Sequence, residues 1–279
     1  MPTTTGQQVR MSRLIDPASG RGFCIAFDHA LQFGICPGGA PAEAMLDMMA
    51  EARADGVILP LGTALRLGSR LARRGGPAMI LRLDQTTMWR QGTPLAYRDG
   101  MTRLVAGVAD AVALGADAVI TYLFFGHCDP ALETKSFEDC ARVNAAARTA
   151  GMPHIIETMG ARGGLATDVF APELVAYHTR VGAEMGADII KTDWPGSAAA
   201  LASITASLPV PLLMAGGPRG ESDLGTLRLV AEVMAGGAAG ILFGRQIFDA
   251  ARPLAVMKAC RAIIHGGATV EEAMAGAGF

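Results

Sequence analysis

Only three of the 24 basic side chains in this sequence are lysines, Lys135, Lys191 and Lys258. Lys191 directly follows the apolar run Asp188-Ile189-Ile190, where a buried strand should end. Arginine can neither release its proton nor form an imine, whereas a lysine withdrawn from water can act as a nucleophile. Lys191 is therefore the leading candidate nucleophile. The competing structural reading is a lysine paired with Asp193 or with a carboxylate on a neighbouring strand. Glu157 closes the run Ile155-Ile156 one strand earlier, close enough across a sheet to exchange a proton with Lys191. An ion pair with Arg82 or Arg162 would equally explain its position. Asp28 and His29 close the first apolar run as Phe27-Asp28-His29. Together they could move a proton to or from a substrate hydroxyl. Alternatively, Asp28 caps the next turn and His29 is a satisfied core donor.

Two glycine-rich stretches, Ala215-Gly216-Gly217-Pro218 and Phe243-Gly244-Arg245-Gln246, also follow apolar runs. Gly216, Gly217 and Gly244 would let backbone N–H groups approach an anion, and Arg245 would add a fork of donors. Each stretch read alone could be a simple turn. Asp84 and Tyr122 stand at other run ends and could meet substrate hydroxyls or serve structure alone. His127-Cys128-Asp129 is the densest set of ligand-type side chains, but adjacent residues cannot all face one ion, so no metal is expected.

The elements that would carry these residues repeat along the chain. Runs of the type Gly-Ala-Asp followed by apolar residues (54–59, 115–120, 186–190 and 237–242) alternate with runs introduced by proline (77–81, 153–156 and 211–214). With Phe23–Phe27 they make eight short strands, each too continuously apolar for a sheet with one wet face. Helical periodicity lies between them, as in Met101-Leu104-Val105-Val108-Val112 and Leu174-Tyr177-Val181-Met185. Ser136-Phe137-Glu138-Asp139 reads as a helix start, and 268–276 as a last short helix. Strand and helix in alternation imply a parallel sheet. Eight units in this length imply an α/β fold of the closed (β/α)8 barrel type, spanning 20–279, with 1–19 as an arm or a plug on the barrel bottom. In such barrels the carboxyl ends of the strands line the active site, which is where all the candidates fall.

The 279 residues carry a formal net charge of -2, which leaves no electrostatic footprint for nucleic acid. No apolar run approaches the roughly 20 residues that span a bilayer, and the amino terminus lacks the apolar core of a signal peptide. A cytoplasmic protein with no membrane or nucleic-acid partner is expected. Its five cysteines (Cys24, Cys36, Cys128, Cys140 and Cys260) are scattered and read as reduced thiols.

Phe27-Asp28-His29, Ile189-Ile190-Lys191-Thr192, Ala215-Gly216-Gly217-Pro218 and Gly244-Arg245-Gln246 together resemble one family. It is the class I, Schiff-base aldolases that include the archaeal-type fructose-bisphosphate aldolase, the aminodideoxyheptulosonate synthase and the autoinducer-2 phosphate thiolase. The resemblance runs from Met11 to the carboxyl terminus. It implies a cofactor-free enzyme in which Lys191 forms the imine and Asp28 and His29 are an acid/base pair. Gly216, Gly217, Gly244 and Arg245 would hold the phosphate of a sugar-phosphate substrate, and the family habit is a homo-oligomer. One departure matters: the tyrosine that archaeal-type relatives carry after strand five is missing from the stretch 157–163. The proton shuttle must therefore come from elsewhere, with Glu157 placed like the strand-five glutamate of tagatose-bisphosphate aldolases. Two alternatives keep the same residues: acyl transfer to coenzyme A through Lys191, and a non-catalytic barrel that senses a sugar phosphate.

Overall fold

A computed structural model describes residues 4–34, 41–92, 95 and 100–279 of the chain. Its strands are β1 (Gly22–Ala26), β2 (Gly56–Pro60), β3 (Ala78–Arg82), β4 (Asp84–Thr86), β5 (Thr102–Leu104), β6 (Ala118–Phe125), β7 (His154–Gly160), β8 (Ile189–Thr192), β9 (Leu212–Ala215) and β10 (Gly240–Phe243). Eight of them close into a barrel in the order β1-β10-β9-β8-β7-β6-β3-β2, every pairing parallel. Helices intervene between successive barrel strands, so the expected (β/α)8 architecture is the observed one. Closure depends on Gly240, whose φ is +152°; a Cβ there would lie 1.9 Å from the Gly22 carbonyl oxygen. Only glycine lets β1 and β10 approach this closely.

Three local expectations need correction. The run 101–112 is not one helix: Thr102–Leu104 is β5, which pairs antiparallel with β4 outside the barrel, and the helix is Val108–Ala113. Gly107 divides the two, its N–H donating to Asp110 at 2.8 Å to start the helix. Ser136 lies inside the helix Pro130–Ala150, which Asp129 starts by accepting the Ala131 N–H at 2.9 Å. Asp28 does stand at the N-cap position of the helix His29–Phe33, but its side chain makes no cap hydrogen bond. It faces the barrel interior.

Strand residues divide between two apolar layers. One set, including Phe23, Leu59, Val119 and Phe243, packs outward against the helices. The other, including Ile80, Ile120, Ile155, Ile189 and Leu213, fills the lower barrel, and each is fully buried. A side chain of this size contributes about 1.5–3 kcal/mol on burial. The segment before β1 packs against the barrel. Its helix Thr5–Leu14 seals the bottom with Leu14 fully buried, and the Gln7 amide donates to Asp188 at 2.6 Å. The upper barrel is left for polar side chains. Among the described residues no helix is long and apolar enough to cross a membrane.

Candidate active site

Arg82, at the end of β3, is the largest fully buried side chain among the described residues. Its Nε donates to Asp28 Oδ2 at 2.7 Å, Nη1 to Asp84 Oδ1 at 3.3 Å and Nη2 to Glu157 Oε2, and its guanidinium lies 3.9 Å over the Tyr122 ring. A buried guanidinium needs this much compensation, because desolvating one charge without partners costs several kcal/mol. Glu157 turns its other oxygen to Lys191, with Nζ and Oε1 2.6 Å apart. Strand register explains the meeting: Tyr122 pairs with Glu157 and Glu157 with Lys191, so adjacent strands bring all three to one level. Paired residues on neighbouring strands share a face of the sheet. Both structural readings of Glu157 and Lys191 therefore describe real contacts, but with each other and with Arg82. Arg162 instead donates to Asp193 at 2.8 Å.

Two carboxylates, Asp28 and Glu157, thus balance two cations, Arg82 and Lys191. Asp28 is held below its ordinary range: burial opposes ionisation, but the charges of Arg82, His29 and Lys191 outweigh it. Asp84, the third carboxylate, is pushed up to about 7 by burial, although Arg82 and the Tyr122 N–H at 2.6 Å oppose the rise. Burial also lowers the His29 imidazole, against the pull of Asp28. The expected Asp28-His29 pair is loose, with 3.7 Å between Nδ1 and Oδ1. Instead, the His29 ring is stacked with Phe33, 6.1 Å between centroids, meets Phe248 edge-on at 5.5 Å, and lies against Gly244.

These groups open into a cavity of about 390 Å³ at the carboxyl ends of the strands. Asp28, His29, Glu157, Lys191, Gly216, Gly217, Gly244 and Arg245 line it, as does Tyr122, whereas Asp84 is not among its lining residues. Gly217 has φ +63°, and a Cβ on Gly244 would strike the His29 ring at 2.1 Å. Arg245 is half-buried, and its Nε has no hydrogen-bond partner among the described residues. Sequence reasoning missed Gln246, which ties the two glycine loops together. Its amide donates to the carbonyls of Gly216 at 2.9 Å and Pro218 at 2.7 Å, while its oxygen accepts from Thr226 at 2.6 Å. It also missed Trp89 and Phe170, which flank Arg162 at 5.5 and 4.4 Å and complete the apolar side of the cavity. No local pattern announces them, since Trp89 lies on a short 3-10 helix and Phe170 on a turn far from it in sequence. Cys24, Cys128, Cys140 and Cys260 are free, and Cys36 lies outside the described residues.

A family model described as DeoC/LacD family aldolase matches residues 25–250. The chain is 30% identical over 272 residues to the 2-amino-4,5-dihydroxy-6-oxo-7-(phosphonooxy)heptanoate synthase of Streptomyces griseus, covering 98% of this chain and 95% of that one. It is 29% identical over 259 residues to the class 1 fructose-bisphosphate aldolase of Thermoproteus tenax, covering 91% and 93% of the two chains. Among solved structures it is similar to an archaeal fructose-1,6-bisphosphate aldolase whose catalytic lysine carries the substrate's carbinolamine. That likeness has a TM-score of 0.81 and 27% identity, and covers 93% of this chain and all of that one. The chain belongs to the DeoC/LacD family of aldolases and is a class I, Schiff-base-forming lyase with a TIM-barrel fold.

Proposed function

We propose that this aldolase makes or breaks a carbon–carbon bond in a ketose carrying an anionic group, phosphate being the chemistry that fits best, with Lys191 as the imine-forming residue. The observation that carries the reading is the Lys191–Glu157 contact of 2.6 Å at the floor of the strand-end cavity. Proton transfer from Lys191 to Glu157 frees the amine to attack the ketone carbonyl. The same carboxyl can then protonate the departing hydroxyl of the carbinolamine, giving a protonated imine. This cation is the electron sink when the adjacent carbon–carbon bond breaks, and Glu157 takes the proton of the hydroxyl that becomes the aldehyde. Asp28 and Arg82 fix the orientation of Glu157, and His29 closes the cavity wall beside the substrate.

Gly216, Gly217, Gly244 and Arg245 hold the anion. Arg162 is committed to Asp193, and Lys191 to chemistry, which leaves Arg245 as the cation of the described lining with no ion pair. One anionic group is the natural complement, and the phosphorylated substrates in the relatives' names support a sugar phosphate. The reading requires no cofactor. It includes a cytoplasmic enzyme that self-associates, for which exposed Leu65, Val105 and Val112 on the barrel's outer side provide apolar surface.

Replacement of Lys191 by arginine tests the assignment, because arginine keeps the charge and the contact with Glu157 but cannot form an imine. Turnover should disappear while dihydroxyacetone phosphate still binds. Retained turnover would contradict the assignment.

A further inference from the structure

An aldol cleavage needs two proton movements: one off the hydroxyl that becomes the aldehyde, and one onto the enamine carbon left behind. In this cavity Glu157 is placed for the first. Glu157 receives both Lys191 and Arg82, Asp28 receives Arg82, and Asp193 receives Arg162. Each of the three has a cation in contact. From this arrangement we infer that Tyr122 is the general acid that protonates the enamine carbon, taking the place of the tyrosine missing from the stretch 157–163.

Three contacts support the assignment, which rests on Lys191 being the imine-forming residue. Tyr122 is level with Glu157, and Glu157 with Lys191, across three adjacent strands, and the phenol lines the same cavity. The Trp89 indole N–H donates to the phenolic oxygen at 3.4 Å. With the oxygen engaged as an acceptor and no protein acceptor for its own hydrogen among the described residues, the hydroxyl is left to point its proton into the cavity. Arg82 lies 3.9 Å over the ring, where its charge would stabilise the phenolate that forms once the proton is given. Burial keeps the phenol protonated well beyond neutral pH, so the acid is always loaded before turnover.

The step balances within the site. The carbon–carbon pair moves to the iminium nitrogen, giving an enamine and an aldehyde, while Glu157 takes the aldehyde-side hydroxyl proton. The enamine pair then forms a C–H bond with the Tyr122 proton and regenerates the iminium. The proton on Glu157 returns through solvent to the phenolate, and water releases the ketone from Lys191.

The test separates the acid from the imine. Wild-type enzyme and Tyr122→Phe are incubated in D2O with dihydroxyacetone phosphate and, separately, dihydroxyacetone. Deuterium entry at the carbon next to the imine is followed by NMR, and imine formation by borohydride trapping. Wild type should exchange and trap. Tyr122→Phe should trap at the wild-type level and exchange about 10²–10⁴-fold more slowly, the usual contribution of a general acid. Trp89→Phe leaves the phenol in place and should slow exchange only about 2–10-fold, the weight of one neutral hydrogen bond. Exchange by Tyr122→Phe within about threefold of wild type, or loss of trapping along with exchange, would overturn the role of Tyr122 while leaving Lys191 intact. A wild-type enzyme that traps neither ketone would overturn the Lys191 reading and this inference together.

Discussion

Lys191, Glu157, Arg82, Asp28 and Asp84 form one electrostatic unit, and Asp84 is the member whose proton can be followed by stability. One guanidinium serves three carboxylates, of which Asp28 is held below its ordinary range, while Asp84 is pushed up to about 7 from 3.8. Between those two values the folded protein holds a proton that the unfolded chain has released. The stability this contributes is complete below the unfolded value and is lost as the pH rises through about 7. Asp84→Asn cannot ionise and should remove that decline. Denaturant titrations of both proteins from pH 4 to pH 8 would show wild type losing stability relative to the variant as pH rises. Parallel curves would mean that Asp84 is ionised throughout.

At the scale of elements, the strands position the site and the glycine loops shape it. Gly244 ends β10 beneath the His29 ring, where a Cβ would sit 2.1 Å from Cε1. Gly244→Ala must displace either the imidazole or the loop that carries Arg245, and overpacking of this kind destabilises by about 1–3 kcal/mol. A lower melting temperature together with a raised KM for a phosphorylated ketone is expected. An unchanged KM would argue that this loop does not touch the anion. The eight barrel strands were legible in the sequence because residues buried on both faces leave continuous apolar runs, and a polar residue ending such a run is conspicuous. Lys191, Glu157 and Asp28 were found that way. The β4–β5 hairpin was not, since three-residue strands outside the barrel carry little pattern and Met101, Leu104 and Val105 imitate a helical period. Nor could the sequence show that Arg82 gathers three carboxylates, or that Gln246 spans two loops, because those contacts depend on how neighbouring strand ends meet in space.

The whole molecule separates stability from chemistry along the barrel axis. The helix Thr5–Leu14 closes the bottom, and Leu14 is fully buried among the lower-layer isoleucines, at the end opposite the cavity. Leu14→Ala should therefore lower unfolding free energy by about 2–5 kcal/mol while leaving kcat within about twofold of wild type at temperatures where the variant is folded. A large fall in kcat without a change in stability would show that the plug communicates with the site. Catalysis in this cavity depends on an imine forming on Lys191. This is tested most directly by reducing the enzyme with borohydride in the presence of dihydroxyacetone phosphate and mapping the adduct by peptide mass spectrometry. The expected result is a single ketone-derived adduct on the peptide containing Lys191, absent from Lys191→Arg. An adduct on Lys135 or Lys258, or undiminished adduct formation by the variant, would contradict it.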